Sequence, residues 1–387
     1  MNSGRTVFAQ VMALVHRELF QRCVDRFAGE QSCRSFSCHD QWLAMAFAQL
    51  AFRSSLRATV ECLNARPDLL YHLGFRGPLC RSTLADANEL RDARIFEALA
   101  RALMRRAGAL YQHDTLECLP EGVAYALDST TFELCLSLCP WARLGHTRAA
   151  VKLHTLLALQ GLIPTVVVCT PAKIADVRIL DELTYEAGAF YIFDRGYLDF
   201  ARLARLLEAQ AFFVTRTRKN FCFRRIRSAP VERAQGVRFD QRIRLADFKT
   251  SRRYPQTLRR VGWYDAVTDK HLVFLTNNFS QPAVVIAHLY KQRWQIELFF
   301  RWIKQHLCIQ RFFGVSVNAV KTQLWTALCV YLLVAILKKE RHWPASLHTI
   351  LQIISVHVFE KIPLDQLLTK QPALDPQTHP CNQLELF

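Results

Sequence analysis

The segment YKQRWQIELFFRWIK, residues 290–304, constrains this chain more than any other stretch. On one helix, Tyr290, Arg293, Glu297 and Lys304 would stand at offsets of 0, 3, 7 and 14 residues. At about 100° per residue they project within roughly 60° of one another. Trp294, Ile296, Leu298, Phe299, Phe300, Trp302 and Ile303 surround that stripe. The pattern predicts a largely buried helix that opens at Pro282 and reaches about His306. Arg293 and Glu297 also have the i, i+4 spacing of an ordinary surface ion pair. Inside an apolar helix, however, a charged face is costly unless a site uses it.

The rest of the chain changes period near residue 120. Before it, apolar residues recur at helical spacing through Val7–Phe27 and Gln41–Phe52. Ser82 and Asp92 read as N-caps for helices over Thr83–Leu90 and Ala93–Gly108. After it come short runs rich in β-branched and aromatic residues: Val123–Asp128, Lys152–Leu159, Pro164–Cys169, Phe190–Asp194, Phe212–Thr217 and His271–Thr276. Helical stretches over Ile174–Ala187 and Phe200–Ala209 separate the later ones. This order predicts an α/β protein, a mixed sheet covered by helices. A helix over Ser346–Glu360 and a Pro- and Gln-bearing end, expected to be disordered, close the chain.

Charge is concentrated. The whole chain carries 50 Lys and Arg against 33 Asp and Glu, a net +17. Between Thr215 and Val261 stand fifteen basic residues and three acidic ones, so this insert supplies most of the excess. A polyanionic partner follows, nucleic acid or an anionic membrane surface. The most apolar segment, Leu324–Leu337, is 14 residues long, short of the roughly 20 that span a bilayer, and reads as a buried core helix. The N-terminal stretch is interrupted by Gln10, His16, Arg17 and Glu18, unlike a signal peptide. Thirteen cysteines without a C-x-x-C pair, Cys135 and Cys139 being a close pair, suggest reduced thiols in a cytosol.

Two aspartates complete the constellation. Asp128 ends VAYALD and Asp194 ends FYIFD, with Gly196 permitting a sharp turn. Either alone reads equally as a helix cap or turn residue. With Glu297 they form three carboxylates, which repel and hold protons unless a cation neutralises them. Mg²⁺ and Mn²⁺ suit such oxygen ligands, and a pair of them serves phosphoryl transfer.

The spacing Y-x₂-R-x₃-E-x₆-K at Tyr290, Arg293, Glu297 and Lys304 resembles the signature of the insertion-sequence-four family of DDE transposases. Asp128-Ser129-Thr130 and Asp194-Arg195-Gly196-Tyr197 resemble that family's blocks around its first two acids, and CRSTLADAN resembles the helical leader of one branch. The resemblance covers roughly Val123–Leu337. It implies a ribonuclease-H-like catalytic core interrupted by a β-rich insertion domain and preceded by an all-helical N-terminal domain. The expected division is a helical DNA-binding region over 1–120, core over 121–214, basic insertion over 215–270, core over 271–340, and a C-terminal helix and tail over 341–387.

The resemblance also implies catalysis by Asp128, Asp194 and Glu297 holding two Mg²⁺ or Mn²⁺ ions. Strand cleavage, hairpin formation and strand transfer would follow at transposon ends held by a homodimer, in the bacterial cytoplasm. Tyr290, Arg293 and Lys304 would grip DNA phosphates. In the insert, Arg216, Arg218 and Lys219 would bind the backbone. Trp263 is the candidate to receive a flipped base, or else a core tryptophan of the insert. Arg81, Ser82, Thr83 and Asn88 mark a possible reading helix, with a plain structural helix as the alternative. The competing functions are a nuclease that never joins strands, a DNA-binding protein without catalysis, and a membrane-associated protein.

Overall fold

A computed structural model describes residues 4–30, 35–144, 147–218, 221–307 and 312–369. Seven helices come first: α1 Val7–Met12, α2 Arg17–Arg26, α3 Cys38–Leu50, α4 Leu56–Asn64, α5 Pro67–Leu73, α6 Arg81–Leu90 and α7 Arg94–Tyr111. Then follow β1 Ala124–Leu134, β2 Arg143–Leu144, β3 Arg148–Ala158, β4 Ile163–Pro171, β5 Phe190–Phe193, α8 Phe200–Glu208 and β6 Phe212–Arg216. The basic stretch forms β7 Phe223–Ala229, β8 Val237–Leu245, α9 Phe248–Arg253 and β9 Leu258–Asp265, and β10 Lys270–Thr276 follows. The remaining helices are α10 Ala283–Gln292, α11 Trp294–His306, α12 Val317–Glu340, α13 Leu347–Val356 and α14 Leu364–Thr369.

Among the described residues, all ten strands belong to one sheet. β1 pairs antiparallel with β3 and parallel with β5, and β5 is parallel to β6. β4 and the short β2 share the other edge of β3. Beyond β6 the sheet continues antiparallel through β10, β9, β8 and β7. The strands of the basic stretch therefore extend the sheet that β1 organises.

Strand alternation puts Ala126, Ile192 and Val214 in one apolar core and Leu127, Phe193 and Phe213 in another, on the opposite face. Helices α10 and α11 cover the first face, with Ile286, Leu289 and Ile296 in its core. Helix α8 covers the second through Leu203 and Leu206.

α12 is long and apolar enough to cross a membrane, yet 94% of its apolar window is buried inside the protein. It packs on α7, α3, α6 and α13, as the core-helix reading expects. Tyr111 Oη donates to Ala335 O at 2.9 Å, and the Val7 amide donates to Glu360 O at 2.8 Å. The N-terminal helices thus share a core with the C-terminal ones.

Several expectations change. The helix expected from Pro282 to His306 is two helices, because the ladder tightens to i→i+3 bonds around Arg293 (Arg293 N to Tyr290 O, Ile296 N to Arg293 O). Ile174–Ala187 is helical only as the 3₁₀ segment Asp176–Asp181. Val7–Phe27 divides into α1 and α2. Ser82 and Asp92 do not cap: α6 starts one residue before Ser82, and Asp92 instead accepts from the Arg94 amide at 2.8 Å. Ser346 does cap α13, which ends at Val356 rather than Glu360. The end of the chain after Thr369 lies outside the described residues.

Candidate active site

β5 ends at Phe193 beside the middle of β1, which does not stop at Asp128 as expected but runs on to Leu134 in its ladder with β3. The parallel register of β1 and β5 runs to Leu127↔Phe193, so Asp128 and Asp194 are the next residues on neighbouring strands. At that point the chain leaves β5 and turns: the Asp194 side chain accepts from the Gly196 amide at 2.7 Å. A Cβ at residue 196 would stand 2.8 Å from Asp194 Oδ1, so any other residue there would push the carboxylate from this position. Asp128 Oδ1 accepts from the Ser129 amide at 2.8 Å.

Glu297 reaches the same place from α11, which packs on β1. Arg293 joins the two elements: Nη2 donates to Glu297 Oε1 at 2.6 Å and Nη1 to Asp128 Oδ2 at 3.4 Å. Its side chain is half-buried, with 17% exposed. Burial pushes the Asp128 carboxyl up to about 6, opposed by the Ser129 amide and Arg293 and reinforced by Asp194 and Glu297. One guanidinium does not balance three acids.

All three donors are carboxylate oxygens, the ligand type that hard divalent cations take. Among the described residues no group of three or more His, Cys, Asp or Glu stands in ligating arrangement. The cation between Asp128 and Glu297 is Arg293 itself. The elevated Asp128 carboxyl is the observation that fits a divalent ion, since more positive charge there would release its proton.

The other expected site residues divide. Lys304 Nζ donates to Thr131 O on β1 at 3.0 Å, so it lies along the same strand as Asp128. Burial lowers its ammonium's pKa. Tyr290 is buried, stacked on Phe274 at 4.8 Å between ring centres, and its phenol is pushed up by that burial. Arg216 ends β6, within electrostatic reach of Tyr290, and Arg218 is exposed with a 3.4 Å bond to Leu198 O. Lys219 lies outside the described residues.

Family comparison decides what this arrangement belongs to. The "Transposase DDE domain" family matches residues 120–333, more than half of the chain. The chain belongs to the DDE transposases. A domain of unknown function also matches residues 3–76.

The putative transposase y4zB of Sinorhizobium fredii is 38% identical over 257 residues, covering 65% of this chain and 70% of that one. A probable transposase for insertion sequence element IS5377 from Geobacillus stearothermophilus is 31% identical over 54% of each chain. A putative transposase for element IS4SA from Synechocystis is 23% identical over 83% of this chain and 87% of that one. The protein is a DNA transposase and an enzyme.

The structure bears on two assignments made for the transposase from sequence. Trp263 is 6% exposed, its Nε1 donates to Gln235 O at 3.0 Å, and Lys291 lies 4.8 Å over its ring. It packs as a core tryptophan of β9, the alternative reading of this residue. Asn88 is buried, accepting from Gln41 Nε2 at 2.8 Å, so it does not read DNA; Arg81 and Ser82 are exposed and Thr83 half-buried on α6. Ten of the cysteines are described, and all are free.

Sequence reading missed a polar cluster behind the aspartates: Lys152, His154, Asp176 and Tyr197. Lys152 and His154 share one strand face by i, i+2 spacing and interrupt an apolar run, which was the available signal.

Proposed function

We propose that Asp128, Asp194 and Glu297 are the catalytic carboxylates of this transposase, and that they hold two Mg²⁺ or Mn²⁺ ions once Arg293 yields its place. The observation that carries this reading is the register of β1 and β5, which sets Asp128 within β1 beside Asp194 at the end of β5 while Arg293 ties the third acid to the first. Divalent ions at that spot supply Lewis acidity for in-line displacement at phosphorus.

The chain's own residues do the rest. The carboxylates provide the negative charge that selects a cation. Arg293, freed from Asp128, and Lys304 then face phosphate oxygens of the DNA. Tyr290, buried against Phe274, backs Arg293, whose guanidinium carbon lies 5.8 Å from its ring centre.

The finer assignment follows the Y-x₂-R-x₃-E-x₆-K signature. The enzyme acts as a member of the insertion-sequence-four branch, cutting transposon ends, forming and reopening hairpins, and joining the 3′ ends to target DNA. It works as a homodimer that pairs two ends in a bacterial cytoplasm. A ribonuclease-H-like core is supported by the three antiparallel strands β4, β3 and β1 beside the parallel β5 and β6.

The region over 1–120 contributes DNA binding, with Arg81 and Ser82 exposed and Thr83 half-buried at the start of α6. Arg216, Arg218 and Lys219 grip the backbone. The test is a plasmid carrying the element with its flanks. Asp128→Asn, Asp194→Asn and Glu297→Gln should each lose end cleavage and keep DNA binding, whereas full cleavage by any of them refutes the assignment.

A further inference from the structure

The ladder between β1 and β5 stops at Leu127↔Phe193, so no strand pairing with β5 steadies β1 at Asp128. Past that pair the Ser129 amide donates to the Asp128 side chain itself. Strand alternation sends Asp128 and Ser129 to opposite faces. On the face away from α11, Ser129 Oγ donates to Asp176 Oδ1 at 2.8 Å.

That same oxygen accepts from Lys152 Nζ at 3.0 Å, and Lys152 also donates to Ile174 O at 3.1 Å. His154, opposite Ser129 in the β1–β3 register, is 1% exposed and lies 3.7 Å from Asp176. Burial holds its imidazole below the usual range, and its Nε2 is 2.9 Å from Thr170 Oγ1. Tyr197, three residues after Asp194, is buried within electrostatic reach of Asp128, Asp176 and Asp194. The 3₁₀ segment that carries Asp176 packs on the one that carries Tyr197. The cluster thus closes over the back of β1 behind Asp128.

We infer that Asp176 is a positioning residue of the transposase, fixing the Ser129 amide and through it the Asp128 carboxylate. The inference rests on Asp128 being a metal-holding residue, as proposed above. Asp176 acts as a hydrogen-bond acceptor here, not as a ligand. Its carboxylate already serves Ser129 and Lys152, on the opposite face of the sheet from Arg293. Groups that orient a ligand typically change metal affinity or activity 10–100-fold when removed.

Full-length variants test this by electron paramagnetic resonance titration of Mn²⁺ without DNA, and by the Mn²⁺ concentration giving half-maximal plasmid cleavage. Asp176→Leu and Ser129→Ala should weaken Mn²⁺ binding and raise that concentration about tenfold or more, with DNA retention unchanged. Asp176→Asn keeps an acceptor for Ser129 and should stay within about threefold of wild type, well short of that range.

Wild-type Mn²⁺ binding by Ser129→Ala, or failure of Asp176→Asn as complete as that of Asp176→Leu, overturns the inference. Ser129→Ala carries the test if Asp176→Leu does not fold. Asp128→Asn separates the two levels. If it binds Mn²⁺ and cleaves normally, the site itself is misassigned. If it fails while Ser129→Ala and Asp176→Leu do not, only the role of Asp176 falls.

Discussion

The middle of the sheet and its far edge are built from one backbone ladder and could hardly differ more in their side chains. At β5 all four residues are buried, and its neighbours β1 and β6 pack apolar residues on both faces. At β7, the far edge, Arg224, Arg225, Arg227 and Ile226 are exposed. Between them, β9 is still a core strand, with Leu258, Val261 and Trp263 buried.

Burial in the middle makes charge expensive, so three acids there demand a cation. Exposure at the edge lets arginines accumulate cheaply, and their charge also guards an unpaired edge against self-association. On the proposed reading, chemistry would belong to the buried middle of the sheet and grip to its exposed edge.

The comparison can be broken at either place. The largest effect is expected where β5 ends beside β1. Asp194→Asn should lower cleavage of end DNA by at least about 10²–10³-fold, the size seen when a transition-state charge partner is removed. Filter binding should show DNA affinity unchanged.

Next is Trp263. Its replacement by Ala should cost about 3 kcal/mol of stability by urea unfolding, as core truncation does. A variant that keeps its stability and loses only hairpin opening would support the base-receiving role instead.

At the exposed edge, Arg224→Gln, Arg225→Gln and Arg227→Gln together should leave the urea midpoint in place. They should reduce the slope of log affinity against log salt by about 0.9 for each phosphate that is no longer neutralised. An unchanged slope would detach β7 from the DNA.

The smallest effect is on pH. Because the folded Asp128 carboxyl is raised to about 6, the native state holds a proton that the unfolded chain has already released. Metal-free stability should therefore fall as pH rises from about 4 to about 6, by roughly 1–2 kcal/mol. Asp128→Asn should flatten that decline in urea midpoints. A decline of the same size in the variant would assign the proton to another group.

Sequence reading reached the buried middle well, because its rules are local. The run that stops at Asp194 is visible as an apolar stretch ending at an acid, and the stripe from Tyr290 to Lys304 as spacing, whereas β1 continues past Asp128 to Leu134 because β3 goes on pairing with it. It failed where packing decides. The tightening at Arg293 carries no Gly or Pro to announce it. Trp263 reads the same whether its ring faces solvent or a neighbouring helix, and only the seat of α10 against β9 distinguishes the two. Asp176 was legible as a residue but not as a neighbour. It meets Ser129 across 47 positions of sequence, through a turn whose helical pattern predicted a longer helix than forms. The basic stretch was legible as charge, while its continuation of the sheet depends on β10 pairing with both β6 and β9.

The central claim is that the three carboxylates share divalent ions after Arg293 withdraws. Anomalous diffraction from crystals of the full chain grown with Mn²⁺ and plasmid-derived end DNA tests it most directly. The account expects manganese peaks bounded by Asp128, Asp194 and Glu297, with the Arg293 guanidinium turned toward phosphate. Manganese bound elsewhere, with Arg293 still bridging Asp128 and Glu297, would contradict it.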